Sequence, residues 1–162
     1  MDNYKNYTRK NSLRYKDFDY SSEGYYFVTI CTHNKQQILS KIIKDGKNPH
    51  PILTDIGKIV ADVWDSIPTT YSNIRTEDFV IMPNHIHGII VIGHNSEQSL
   101  NDIVKSLKSI STIRCRKKYG NDFILWHRGF YDEILEHEEH YLNTKWYINC
   151  NPRNWGTDKY RF

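Results

Sequence analysis

Two histidines two residues apart, His85 and His87, interrupt an otherwise apolar stretch, FVIMPNHIHGIIVIG at residues 79–93. Alternate side chains of a β-strand point to the same face, so both imidazoles are expected on one face, about 7 Å apart along the strand. Two neutral imidazoles placed in this way can share one metal ion. The pattern by itself is a weak signal, because such histidines are more often exposed or hydrogen-bonded than metal ligands.

A metal site open to substrate needs a third protein ligand, and the last predicted helix offers one. Tyr147 and Asn151 are four residues apart and therefore lie on one face of that helix. The carbonyl oxygen of Asn151 suits a hard ion such as Mg²⁺ or Mn²⁺. A tyrosine beside that ion could attack a phosphate. The chain has twelve tyrosines, and Tyr119, Tyr131 and Tyr141 are alternatives for this role.

The segments that position these residues alternate between strand and helix patterns. We predict strands at 24–34, 77–82, 85–92 and 122–135, helices at 54–67, 99–120 and 138–152, and a flexible loop at 40–51. The order is β, α, β, β, α, β and a further helix. This predicts an α+β fold, a ferredoxin-like split βαβ antiparallel sheet covered by helices, with an extra C-terminal helix that carries Tyr147.

Length and composition predict one domain in a reducing compartment. The 162 residues suffice for one hydrophobic core, so we treat 1–162 as a single domain whose residues 1–20 form a basic and aromatic arm. Three cysteines without a CxxC pair indicate neither a disulfide framework nor a zinc knuckle. No apolar stretch resembles a signal peptide or a membrane span. We expect a cytoplasmic protein with no membrane partner.

A net charge of +3 permits a nucleic-acid partner, and two basic segments are candidates for DNA contact. Lysines and arginines there would bind phosphates, and neighbouring tyrosines would stack on bases. The candidates are Lys105, Lys108, Arg114, Lys117 and Lys118 on the second predicted helix, and Arg9, Lys10 and Arg14 in the arm. The alternative readings are a solvated cationic helix face and a loose terminus.

Four segments, in the same order along the chain, resemble the REP-associated tyrosine transposases. They are DYSSEGYYFVTICTHN, MPNHIHGI, the LKS of the second helix, and WYINCNPRNW. That family belongs to the IS200-like HUH transposases, which act on single-stranded DNA with one catalytic tyrosine. The resemblance implies that His85 and His87 are the HUH histidines, that Asn151 completes the metal site, and that Tyr147 is the nucleophile.

The resemblance also implies a function. It implies a transposase that uses Mg²⁺ or Mn²⁺, cleaves and rejoins single-stranded or hairpin DNA at REP-like sequences through a 5′-phosphotyrosine, and needs no ATP. A monomer is favoured over a homodimer. Three alternatives remain: a hairpin-binding protein that has lost cleavage, a replication initiator or relaxase, which the short chain disfavours, and a zinc hydrolase, for which Tyr147 would be dispensable.

Overall fold

A computed structural model describes residues 18–46 and 48–161 and places helices on both faces of a four-stranded sheet. The strands are β1 Gly24–Cys31, β2 Ser40–Ile43, β3 His50–Leu53, β4 Ile74–Ile81, β5 His85–Ile92 and β6 Tyr131–Ile134. The helices are α1 Asp55–Asp65, α2 Ile67–Thr70, α3 Leu100–Tyr119 and α4 Glu138–Cys150. Short 3₁₀ helices cover His33–Lys35 and Asn151–Thr157. None of the described helices is both long and apolar enough to span a membrane.

The main sheet has the strand order β4-β5-β1-β6, and each neighbouring pair is antiparallel. Helix α1 lies in the connection from β1 to β4, and helix α3 lies in the connection from β5 to β6. This is the split βαβ arrangement. The predicted α+β fold is therefore confirmed.

The predicted flexible loop at 40–51 was wrong, because most of it belongs to a second, two-stranded sheet. Strands β2 and β3 pair antiparallel, with Ser40 opposite Leu53 and Ile43 opposite His50. β-branched residues favour the extended strands, and Gly46, at a φ of 81°, permits the chain to turn between them. The glycine and lysine residues between the strands concealed this hairpin in the sequence.

All eight residues of β5 are buried, which explains why its sequence is nearly continuously apolar. Ile86 and Ile90 belong to the main core, which includes residues of α1 and α3. Ile89 and Val91 pack on the other face in a smaller cluster with Ile148 of α4. His85 and His87 have the same strand parity as Ile89, so they lie on the face that α4 covers.

Helix α3 begins with a capping box and ends at a glycine, within one residue of the predicted bounds 99–120. The Ser99 hydroxyl accepts from the Asp102 backbone, the Asp102 carboxylate accepts from Ser99, and Gly120 is the C-cap at a φ of 101°. Ile113 is apolar but 55% exposed. It follows the buried Leu107 by six residues, which turns it by about 120° to the other side of the helix.

The last strand is much shorter than predicted, covering 131–134 of the expected 122–135. Trp126 makes only an isolated bridge to Thr32. The three carbonyl groups that follow, at residues 127–129, accept hydrogen bonds from Lys108 Nζ at 2.7, 3.1 and 3.3 Å. This lysine takes up the carbonyls that a longer strand would have paired.

Candidate active site

The turn before β5 and the start of that strand bring the two imidazoles together. The Nε2 atoms of His85 and His87 lie 3.1 Å apart, and both side chains are fully buried. Asn84 Oδ1 lies 2.8 Å from His85 Nδ1. A carbonyl oxygen only accepts, so we assign the proton to Nδ1 and the lone pair to Nε2. Thr29 Oγ1, 2.8 Å from His87 Nδ1, can accept in the same way.

Both histidines are held neutral by their surroundings. Burial lowers the pKa of His85 to about 3, although the nearby Asn151 side chain, which favours the protonated ring, opposes the shift. Burial, followed by the neighbouring His85, lowers the pKa of His87 well below its ordinary value. At neutral pH the two Nε2 atoms therefore offer lone pairs to one point in space, as the ligands of a cation do.

Two oxygen donors complete the cluster. Asp158 Oδ2 lies 3.7 Å from His85 Nε2, and ligand atoms of His85, His87 and Asp158 all lie within 4.8 Å of one another. Asn151 is 1% exposed, and its Oδ1 has no hydrogen-bond partner among the described residues. A buried carbonyl oxygen without a partner costs free energy, so it indicates a place for a ligand.

The donor set fits a divalent cation. Ligands about 2.1 Å from an octahedral ion stand about 3 Å from their neighbours around it. The nitrogen-to-nitrogen distance of 3.1 Å and the nitrogen-to-oxygen distance of 3.7 Å are close to that spacing. Two imidazole nitrogens and two oxygens favour a metal of intermediate to hard character.

Two tyrosines contact the histidines, one on α4 and one in the C-terminal segment. The Tyr147 ring centre lies 5.3 Å from that of His87. The Tyr160 ring centre lies 5.0 Å from that of His85 and 5.6 Å from that of His87. Burial raises the pKa of Tyr147, partly opposed by a hydrogen bond with Asn151, and raises the pKa of Tyr160 to about 12. Both phenols are therefore protonated at neutral pH.

The other candidate tyrosines lie elsewhere. Tyr141 donates its hydroxyl hydrogen bond to Glu77 on β4. Tyr131, on β6, is 43% exposed and lies against Tyr160 rather than against a histidine. Tyr119, at the end of α3, is 42% exposed. Of the four tyrosines that the sequence suggested, Tyr147 is the one placed beside the histidine pair.

An irregularity in β4 holds the tyrosine helix in place. The pairing register between β4 and β5 shifts between Glu77 and Phe79, which leaves Asp78 as the extra residue of a bulge. Asp78 accepts hydrogen bonds from Asn149 Nδ2 at 2.7 Å and pairs with Lys145 Nζ at 3.0 Å. With the contact between Glu77 and Tyr141, two consecutive carboxylates of β4 bind α4.

Comparison with known proteins identifies the family of the chain. Residues 20–151 match the sequence profile of IS200-like transposases. The chain belongs to the IS200-like transposase family. An uncharacterized protein of Haemophilus influenzae is 34% identical over 170 aligned positions, which cover 93% of this chain and 92% of the relative.

Two solved structures share the fold of this IS200-like transposase. A REP-associated tyrosine transposase bound to a REP hairpin superposes with a TM-score of 0.66 at 17% identity, covering 90% of this chain and 76% of that one. A candidate transposase from Deinococcus radiodurans superposes with a TM-score of 0.53 at 18% identity, covering 83% of this chain and 95% of that one. Membership of a transposase family makes the chain a DNA-processing enzyme.

The residues predicted to bind DNA are distributed unevenly. Lys105, Arg114 and Lys117 are exposed on α3. Lys108 binds the carbonyl groups at residues 127–129, and Lys118 pairs with Asp55 at 2.6 Å, so both also serve contacts within the chain. The predicted arm residues Arg9, Lys10 and Arg14 lie outside the described residues.

Sequence reasoning missed three residues of the site. Asn84 was noticed only as part of a turn, yet it is fully buried and orients His85. Asp158 and Tyr160 follow the last predicted helix and belong to no periodic pattern, so no local signal marked them. The order MPNHIH contains one usable signal, since an asparagine directly before a ligand histidine can bind its second ring nitrogen.

Proposed function

We propose that this protein is a metal-dependent transposase that cleaves and rejoins single-stranded hairpin DNA through a 5′-phosphotyrosine on Tyr147. One observation supports this most strongly. Tyr147 and Asn151 lie on one side of the C-terminal end of helix α4, and both side chains reach the buried histidine pair. Family membership supplies the reaction class, and the hairpin bound by the similar REP-associated transposase supports the DNA form.

The metal site in this proposal consists of His85, His87 and Asn151, with Asp158 as a fourth donor. Mg²⁺ or Mn²⁺ would suit these nitrogen and oxygen ligands. When bound, such an ion polarises the scissile phosphate and neutralises part of its charge. Asn84 and Thr29 keep the two rings in the orientation that this requires.

The Tyr147 oxygen attacks the phosphorus in line with the bond to the 3′-oxygen. A bond forms between the phenol oxygen and phosphorus, and the bond from phosphorus to the 3′-oxygen breaks. The proton lost by the phenol balances the proton gained by the 3′-hydroxyl. Because burial raises the pKa of Tyr147, this proton must leave as the new bond forms.

The phosphotyrosine preserves the energy of the broken phosphodiester. A second 3′-hydroxyl can therefore attack it, release Tyr147 and join a new strand without ATP. The DNA must be unpaired at the cleavage point, since a tyrosine on a helix does not reach a phosphate inside an unopened duplex. We place this activity in the cytoplasm, a reducing compartment in which the three free cysteines remain thiols.

The decisive experiment is a covalent-adduct assay with a matched pair of variants. A labelled hairpin oligonucleotide with single-stranded flanks is incubated with protein and Mn²⁺ or Mg²⁺, and adducts are separated on a denaturing gel. We expect adduct with the wild type and with Tyr160→Phe, and none with Tyr147→Phe or without metal. Adduct that survives in Tyr147→Phe and vanishes in Tyr160→Phe would assign the nucleophile to the other tyrosine.

A protein that binds hairpins without cutting them is the second candidate. The complete burial of His85 and His87, with Tyr160 against both rings, favours it, because a phosphate reaches the histidines only if this segment moves. Tight binding of several hairpins without adduct, in both metals, would establish this alternative.

A further inference from the structure

We propose that a cavity beside the histidine pair binds one nucleotide of the single-stranded DNA next to the cleavage point, with its base stacked on Tyr131. This inference rests on the proposed function, because it identifies how the same site holds its substrate. The cavity has a volume of about 430 Å³ and is lined by residues of β1, the turn after it, β6 and the C-terminal segment. That volume is in the range of small-ligand sites in proteins.

The position of the cavity links it to the candidate metal site. Cys31, which lines the cavity, pairs directly with His85 across β1 and β5, and neighbouring strands are about 4.8 Å apart. Tyr160 also lines the cavity, and its ring lies 5.0 Å from His85 and 5.9 Å from Tyr131. The Tyr160 ring therefore lies between a nucleotide in the cavity and the histidine pair, where the proposed reaction places the scissile phosphate.

The chemistry of the lining matches a nucleotide. Lys35 and Lys159 line the cavity, and no carboxylate does among the described residues. Two ammonium groups favour an anionic ligand, while Asn34 offers an amide that can hydrogen-bond to a base edge. Tyr131 supplies an aromatic ring that is 43% exposed, and an exposed ring of this kind is a stacking platform for a base.

A neighbouring cavity of about 360 Å³ provides a contrast. It shares Tyr131, Lys159 and Tyr160 with the first cavity, but Asp132 and Glu133 also line it. Two carboxylates beside one lysine disfavour a phosphate. The two cavities thus differ in charge, and the first is the one suited to DNA.

The test measures DNA affinity without cleavage. Full-length protein is titrated in EDTA against a fluorescein-labelled hairpin with a randomised single-stranded flank, and against the same hairpin without a flank. We expect Tyr131→Ala to weaken binding of the flanked hairpin about tenfold, because base stacking contributes at this scale. Tyr131→Phe keeps the ring and should bind like the wild type, and the blunt hairpin should bind all these proteins equally.

Two further variants sharpen the test. Lys35 has a φ of 52°, a conformation that asparagine tolerates, so Lys35→Asn removes the charge with little strain. It should reduce the salt dependence of flank binding by about one phosphate contact. Tyr25→Ala is the matched control, since Tyr25 is an exposed tyrosine on the same sheet face that does not line the cavity.

Equal affinity of Tyr131→Ala and the wild type for the flanked hairpin, with unchanged thermal unfolding, would overturn the proposal. If Tyr131→Ala does not fold, photocrosslinking of wild-type protein to a flank that contains 5-bromodeoxyuridine decides the question. A crosslink to Tyr131 supports the proposal, and crosslinks only to α3 overturn it. The adduct assay distinguishes failure of this inference from failure of the proposed function. If the wild type forms the adduct but DNA binding does not depend on Tyr131, only the cavity proposal is contradicted. If binding depends on Tyr131 but no adduct forms, only the proposed strand transfer is contradicted.

Discussion

At the scale of single residues, the histidine pair shows how burial prepares a metal site. Removing two imidazoles from water costs less when they are neutral, and this neutral state is the one that binds a metal. Asn84 and Thr29 each occupy one ring nitrogen, which leaves the other nitrogen of each ring for the shared position. The same burial makes protonation unfavourable, and this has a measurable consequence.

We expect the metal-free protein to lose stability as the pH falls from 7 to 5. Both histidines have a folded-state pKa below the ordinary 6.5, so below pH 6.5 the unfolded chain binds protons that the folded chain does not. The free energy of unfolding should fall by about 1 kcal/mol per pH unit for each histidine. Urea unfolding in EDTA at pH 7, 6 and 5 measures this slope.

The control for this slope is a comparison of two histidine substitutions. His87→Gln removes a buried imidazole and should reduce the slope, whereas His94→Gln removes one that is 79% exposed and should leave it unchanged. A slope that is the same in all three proteins would show that other groups cause the pH dependence.

At the scale of elements, the bulge in β4 determines where the tyrosine helix lies. Asp78 accepts from Asn149 and pairs with Lys145, and these two residues lie two positions after and two positions before Tyr147 in α4. Burial raises the pKa of Asp78, but the hydrogen bonds from Asn149 and Lys145 outweigh it, so the pKa is lowered. The contact is therefore strongest above pH 3.8 and is lost as the pH falls through the lowered pKa.

We expect Asp78→Ala to loosen α4 and slow adduct formation. Loss of this acceptor should lower the free energy of unfolding by about 1–2 kcal/mol, because the Asn149 amide loses one of its two acceptors and Lys145 loses its ion pair. Adduct formation at saturating DNA should slow more than DNA binding weakens, since Tyr147 is displaced from His87. The comparison variant is Asp62→Ala on α1, distant from α4, which should change neither quantity.

Gly88 of β5 packs closely against the side chain of Trp64 on α1. A Cβ atom on Gly88 would lie 2.4 Å from Trp64, whose ring is stacked on Phe79 with centres 4.2 Å apart. Gly88→Ala should therefore lower the free energy of unfolding by about 1–3 kcal/mol. Gly156→Ala, whose new atom would come no closer than 4.0 Å to its neighbours, is the control. Equal stability of the two variants would contradict this account.

The elements also show what the sequence could predict. The bounds of α1 and α3 were predicted to within two residues, because helix periodicity and helix-ending residues are local signals. Strand and helix periodicity also predicted that His85 and His87 share one face and that Tyr147 and Asn151 share one side of the last helix. The β2–β3 hairpin, the short β6 and Asp158 were not found. Each depends on contacts between distant segments, such as Lys108 with the carbonyls at 127–129.

At the scale of the whole molecule, one chain contains every group that the proposed reaction needs. The histidines come from β5, Asn151 and Tyr147 from the end of α4, and Asp158 from the C-terminal segment. The contacts between them are formed within the chain, and α4 is bound to β4 of the same chain. We propose that the active form is a monomer.

We expect mixtures of two inactive variants to remain inactive. In an exchanged dimer, Tyr147 of one copy would serve the histidines of the other. An equal mixture of Tyr147→Phe with a His85→Ala, His87→Ala double variant would then recover about a quarter of the wild-type adduct, because half of the dimers are mixed and one of the two sites in each mixed dimer is intact. In a monomer no such recovery occurs at any protein concentration. Light scattering during chromatography, with and without hairpin DNA, measures the mass in parallel. Recovery of adduct that rises with concentration would show that the tyrosine helix is shared between copies.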